Sequence, residues 1–440
     1  MTERSPIHEL VNALRRALQE LGSTATTSEI ERWGFSIHAA LSALGREFHN
    51  HDHVVEMLGD GDPLEVIAAL YHDAVYIQVD QGPPQSLRDV LAPVLAQQAD
   101  GWRILAIERG SAAADVLTVF GRTAGELVVP STGLNELASA LAAALQLEHA
   151  LDRNQRIAVA ACIEQTIPFR SDPVTPLCLR LERLGLSGRA LDDTVRRAVR
   201  LGNRDIENFA NNNPAQFLDS TWKLLPESNP ALHLPMVYTV RDYRIALHKM
   251  ERFLSSLAAD RVFHCWHDEP MPEVHARRVA RASGNIELAV RYLRAKLYSI
   301  ALVEAIAELT GGDVPLDYFM GGSKQSRTSG FRIEQHLPVL ESARDIDPSL
   351  HQLLALGRAS VSSFDTGPSP LAAFLHAAVG EAGIMKGSEL AKQWWAGVID
   401  TATLLARQPA KPVAAIARAA AHIIDMRRDR LVALAERLEN

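Results

Sequence analysis

The chain has 440 residues, 47% of them apolar and 22% charged, with 45 Lys and Arg against 53 Asp and Glu for a formal charge of −8. That composition can build a full hydrophobic core and excludes disordered, collagen-like and mucin-like classes. The acidic balance argues against non-specific binding to nucleic acid or to an anionic membrane, although it leaves room for a local basic pocket. Three scattered cysteines, Cys162, Cys178 and Cys265, make neither a disulfide framework nor a CxxC metal site, so a reducing cytoplasm is expected. The first residues, MTERSPIHELVNALRRALQE, have no apolar stretch of signal-peptide length, and no run of 18 apolar residues suggests a membrane span.

Helical periodicity dominates. Residues 6–21 place Ile7, Leu10, Val11, Leu14 and Leu18 on one stripe, and helical pattern continues over 28–48 and 64–75, the latter opened by Pro63. Between about 80 and 132 the style changes. Gly82-Pro83-Pro84 breaks the helix, and WRILAIE (102–108), ADVLTVF (114–120) and ELVVP (126–130) have strand composition between Gly-containing turns. A small β-rich insertion in a helical body is expected there. Helices are expected again over 134–151, 155–165, 189–210, 236–258, 273–310 and 334–343. The segment 310–330, with five glycines, reads as a loop or lid. Residues 413–440 read as one long Ala- and Arg-rich helix, suited to packing or to a homodimer contact. The fold class expected is mainly α, with one domain over 1–215 and a helical region of unassigned type over 216–440.

The histidines are unevenly placed. Six of the 16 (His8, His38, His49, His51, His53 and His72) fall within the first 75 residues. Three crowd into FHNHDHVVEML (48–58), and 19 residues after His53 comes ALYHDAVY (69–76). Asp73 stands among Ala68, Ala69, Leu70, Tyr71, Ala74 and Val75, where a carboxylate is costly to bury without a partner. A divalent metal is such a partner, and mixed Asp and His ligands suit Mn, Mg, Co, Zn, Ni or Fe.

HNHDH followed by ALYHDAVY resembles the HD superfamily of metal-dependent phosphohydrolases, and its first segment is similar to the HNxxH of cyclic-nucleotide phosphodiesterases. The resemblance covers roughly residues 35–215. It implies an all-helical HD-type bundle, with His53, His72 and Asp73 as metal ligands and a distant Asp completing the set. Asp205 in LGNRDIENFA is the best match for that Asp, with Asp192 and Asp193 as runners-up. His49 corresponds to the general acid that protonates the leaving oxygen, Asp73 also helps orient the attacking water, and His51 has no role beyond a surface histidine. If the helix has begun by His49, then His49 and His53 are i, i+4 on one face, about 6 Å apart at Cα.

Further segments resemble supporting parts of the small bacterial members. GLNELASAL (133–141) offers Glu136, and ACIEQTIPFR (161–170) offers Glu164 and Thr166, with Arg170 where a basic residue is usually found nearer the Thr. Arg204, Lys223, Trp222 and Arg241 are further substrate-binding candidates. The expected activity is divalent-metal-dependent hydrolysis of a small phosphate ester, nucleotide-like, either a monoester or a cyclic diester. Two other readings are an HD-type iron oxygenase and a non-catalytic binding or signalling module. The oxygenase needs more histidines than His149, the single one between Asp73 and Asp205.

Overall fold

The computed structural model describes residues 5–322, 332–360 and 362–440. It is 66% helical with one small sheet, so the protein is mainly α as expected. The chain forms two compact units, Met1–Ala210 with Ala258–Ser283, and Asn211–Leu257 with Gly284–Asn440.

The first unit opens with α1 (Pro6–Glu20), α2 (Thr27–Leu41), α3 (His51–Leu58) and α4 (Pro63–Tyr71). Thr26 and Glu29 close a capping box at the start of α2, and Asp62 caps α4 with Pro63 in its first turn. The helix expected over 28–48 ends at Leu41, well short of His49. Then come α5 (Ile77–Asp80), α6 (Gln85–Leu91), β1 (Leu95–Gln98), β2 (Gly101–Ile104), α7 (Ala112–Phe120) and β3 (Leu127–Val128). Helices α8 (Leu134–Gln146), α9 (Arg153–Gln165), α10 (Val174–Arg183) and α11 (Gly188–Asp205) complete this part. Helix α4 is the centre: it packs on α1, α3, α8, α9 and α11, and Ile67 through Tyr71 are wholly buried. The near-continuous apolar run of its sequence reflects burial on all sides.

The insertion is only partly as expected. Strands β1, β2 and β3 form an antiparallel sheet, with Leu95 opposite Ile104 and Trp102 opposite Val128. ADVLTVF, however, is helix α7, not a strand. Its run is too short for periodicity to separate buried helix from buried strand. The ends decide: Ser111 accepts the Ala114 N–H at the N-terminus, and Gly121, at φ +63°, closes the C-terminus in the left-handed region. Buried Asp115 on α7 is held by a two-pronged bond from Arg153, 2.8 Å on each oxygen.

In the second unit lie α12 (Pro214–Ser228) and α13 (Val240–Ser256), and α14 (Pro272–Thr310) ends there. They are followed by α15 (Leu316–Met320), α16 (Pro348–Leu356), α17 (Pro370–Trp395, kinked at Gly380), α18 (Thr401–Ala406), α19 (Ala410–Ala421) and α20 (Arg428–Glu439). The helix expected at 334–343 is a single 3-10 turn, Ile333–His336, because Pro338 bars helical backbone at Leu337. The single helix expected at 413–440 is two, α19 and α20, packed on each other so that Leu431, Leu434 and Ala435 are covered within the chain. Of the loop expected at 310–330, Leu316–Met320 is a short helix and residues 323–330 lie outside the described residues. A buried polar cluster organises this unit. Asp365 Oδ2 accepts from Trp222 Nε1 (2.9 Å), Tyr243 Oη (2.6 Å) and Lys296 Nζ (2.7 Å), with the buried Arg358 3.6 Å away.

Among the described residues, no helix is long and apolar enough to cross a membrane.

Two stability outcomes follow. Gly202 lies where α11 crosses α9, and a methyl there would sit 2.6 Å from the Gln165 carbonyl oxygen. Gly202→Ala should therefore cost about 1–3 kcal/mol in urea unfolding, as overpacked contacts do; a neutral result would mean the helices part freely. Asp365→Ala should cost about 3–5 kcal/mol, because it strands two buried cations. A loss under about 1 kcal/mol would show that the cluster is hydrated instead.

Candidate metal centre

The site is built from the ends of three helices. Asn50 caps α3: its side-chain oxygen accepts from the Asp52 N–H (2.9 Å) and the His53 N–H (3.4 Å). The helix therefore starts at His51, so His49 precedes it, and the i, i+4 face expected for His49 and His53 does not exist. His49 instead packs its ring edge against Tyr76 at 4.6 Å, with its centroid 6.0 Å from that of His53. His53, in the first turn of α3, is buried.

The central helix α4 ends at Tyr71, whose hydroxyl donates to Gln146 at 2.9 Å. His72 is its cap and Asp73 lies in the turn beyond. The His72 Nδ1 faces the Ala69 carbonyl at 2.8 Å, which requires Nδ1 to carry the proton and turns the Nε2 lone pair into the site. His72 Nε2 and Asp73 Oδ2 are both buried without a hydrogen-bond partner, although they lie 2.8 Å apart. Asp205, the last residue of α11, brings Oδ1 to 3.0 Å from His53 Nε2 and 3.6 Å from His72 Nε2. His53 Nε2 is 3.7 Å from Asp73 Oδ2.

These separations fit one cation. Ligand atoms about 2.0–2.2 Å from a shared ion stand about 2.8–3.6 Å apart, from octahedral to tetrahedral angles. His53, His72 and Asp73 can hold a metal ion, their ligand atoms all lying within 4.8 Å of one another. The C-terminal ends of α4 and α11 both meet here, and their exposed carbonyl dipoles favour positive charge.

Electrostatics point the same way. Burial alone would raise Asp73, but the imidazoles of His72, His49 and His53 hold it well below the usual carboxylate range. Asp205, likewise opposed by burial, is drawn down to about 2 by the hydrogen bond from His53 and by the nearby His72 imidazole. Burial disfavours the His72 cation, yet Asp73 and Asp205 raise it well above its ordinary value. Two desolvated carboxylates thus retain a compensating proton wherever no cation stands between them. Glu136 on α8 is pushed up to about 7 by burial, against its own backbone N–H, with Asp73 and Asp205 adding repulsion. Its Oε2 is buried without a hydrogen-bond partner.

The other residues singled out from sequence are engaged elsewhere. Glu164 accepts from Arg170 (2.6 Å) and Arg180 (2.7 Å), and the Thr166 hydroxyl donates to the Ile163 carbonyl at 2.8 Å. Arg204 donates to the Met57 carbonyl (3.0 Å) and pairs with buried Glu65 (3.3 Å). Lys223, Trp222 and Arg241 belong to the second unit, with Trp222 bonded to Asp365 and Arg241 3.3 Å from Glu304. Asp192 is held by Arg196 (2.7 Å) and Trp266 Nε1 (2.9 Å), while Asp193 lies 3.5 Å from Arg189. His51 turns to Glu9 and Asp52, and His149 is exposed.

Three supports escaped the sequence reading. Asn135 and Ser139 on α8 accept the Ile77 and Val75 N–H groups, both at 3.0 Å, and so pin the chain leaving Asp73. Arg46 reaches the backbone of both His49 and Asp73. Their contacts are backbone-directed, and no spacing rule marks them.

Comparison with protein-family models, curated proteins and solved structures gives no match.

The pH behaviour is testable. The raised His72 value means its stabilising contribution is complete below the unfolded value of 6.5 and is lost as pH rises through the folded value. In chelator, the melting temperature should fall as pH rises from about 6 to about 9, and added Mn²⁺ should restore it with release of about one proton per ion. A melting temperature indifferent to pH and to metal would refute the charge-balance argument.

Proposed function

We infer that the chain is a divalent-metal-dependent phosphohydrolase of the HD type, acting on a small nucleotide-like phosphate ester. The observation that carries this is the meeting of His53, His72, Asp73 and Asp205, from three separate helix ends, with His49 beside them. Histidine and carboxylate ligands together suit a borderline or hard divalent cation and offer no soft thiolate.

A divalent ion in this site supplies polarisation of a phosphoryl oxygen and a water acidified towards pH 7. The protein's part is positional. His53 and His72 present Nε2 lone pairs, the latter fixed by its Nδ1 bond. Asp73 and Asp205 balance positive charge and accept hydrogen bonds from the attacking water. His49 lies beside these residues, its ring centroid 6.0 Å from that of His53, and in this reading its ring delivers a proton to the departing ester oxygen. Arg170 and Arg204 are already paired, so the reading gives phosphate attraction to the cation and to His49.

The test is a panel of phosphomonoesters and cyclic phosphodiesters, with Mn, Co, Mg, Ni and Fe added in turn. His49→Ala should keep the metal and lose turnover by about 10² or more, the range for a positioned acid. The loss should shrink for aryl phosphates, whose leaving group needs little protonation. His53→Ala should lose metal affinity and, with it, activity. Metal stripped by His49→Ala but kept by His53→Ala would reverse the two roles. Metal binding without turnover on any ester would leave the non-catalytic reading standing.

A further inference from the structure

Arg46 lies just ahead of the His49 segment, and its side chain is entirely buried. A guanidinium in that position is costly unless every face is paired. Here Nε and Nη2 fork onto the Asp80 carboxylate at 3.0 and 2.5 Å. Nη1 donates to the Asp73 carbonyl at 2.6 Å and to the His49 carbonyl at 3.3 Å. The same group lies 5.7 Å from the centre of the Tyr76 ring, and that ring meets the His49 imidazole edge-on. One rigid plane therefore joins three stretches of chain: 46–49, the turn at Asp73, and the 76–80 segment that ends α5.

We propose that Arg46, locked by Asp80, is the positioning residue of this site: it sets the offset between the His49 segment and the turn carrying His72 and Asp73. The role in turnover rests on the phosphohydrolase reading; the mechanical role does not. His49 stands outside α3, and the guanidinium supplies a direct link between its carbonyl and that of Asp73. Lysine cannot replace it, since one ammonium lacks the planar fork needed to hold a carboxylate and two carbonyls together.

The experiment compares Arg46→Lys and Asp80→Asn with the wild-type full chain by amide hydrogen exchange, Mn²⁺ affinity and steady-state kinetics. The strut predicts exchange faster by about tenfold or more at 47–53 and 73–80, with α8 and α9 still protected. It also predicts a kcat lower by about 10² at nearly unchanged KM, and little further loss when Arg46→Lys is added to His49→Ala, since the two act as one unit. Unchanged exchange, exchange raised evenly across the unit, or losses that multiply with His49→Ala would each overturn it. If the wild-type chain hydrolyses no ester, the phosphohydrolase reading fails, while the exchange pattern still decides whether Arg46 ties the two segments. Should Arg46→Lys fail to fold, Asp80→Asn carries the same comparison with the guanidinium retained.

Discussion

Two carboxylates and two imidazoles share a corner that water barely reaches, and that corner cannot exist without a positive charge among them. His53 and His72 are buried, and Asp73 and Asp205 are nearly so. At such burial, two unbalanced negative charges would cost several kcal/mol each. The protein answers by ending α4 and α11 at the same place and by keeping Nδ1 of His72 on a carbonyl, which turns its Nε2 towards the carboxylates. The apolar packing of α4 sets the location, and the charge balance sets what can occupy it.

Holding Asp205 there takes much of the first unit. Helix α11 aligns Arg196, Arg197, Arg200 and Arg204 along one side, and each finds an acid: Asp192 and Asp268, Asp62, Glu65 and Glu269, and Glu65 again. Glu65 is wholly buried, and burial raises its pKa despite Arg200 beside it. Surface pairs in such a set are individually weak, but a shared buried carboxylate makes several of them interdependent. The helix that carries Asp205, the last candidate ligand, is thus fixed along its length by charge and at its crossing with α9 by the absence of a side chain at Gly202.

The helical character of the chain was legible because apolar residues recur with period 3.6 through most of it. The residues that meet at the site were legible for a different reason: histidine and aspartate in an apolar run have few uses. What the sequence concealed was geometry decided by caps and by backbone contacts. Asn50 moved the start of α3 past His49, and Ser111 with Gly121 turned an apparent strand into α7. Glu164 looked like a site residue because of its neighbours in sequence, yet two arginines close on it. Arg46 looked ordinary because two of its partners are carbonyls, which every residue has, and the third, Asp80, lies 34 residues away.

The segment Ala258–Ser283 belongs to the first unit although the chain has by then spent Asn211–Leu257 in the second. It returns to grip α11: Asn203 exchanges hydrogen bonds with the His264 backbone at 2.8 and 2.9 Å, Trp266 bonds Asp192, and Glu269 meets Arg200. During synthesis, every candidate ligand has left the ribosome well before this clamp is made. A nascent chain of 210 residues therefore has the chemistry in hand but lacks part of the scaffold for the helix that ends in Asp205. Contacts of such long sequence separation are slow to form. Full support of α11 therefore waits until residues 264–269 have been made, and a truncation after Ala210 would remove support from a centre whose own residues are all present.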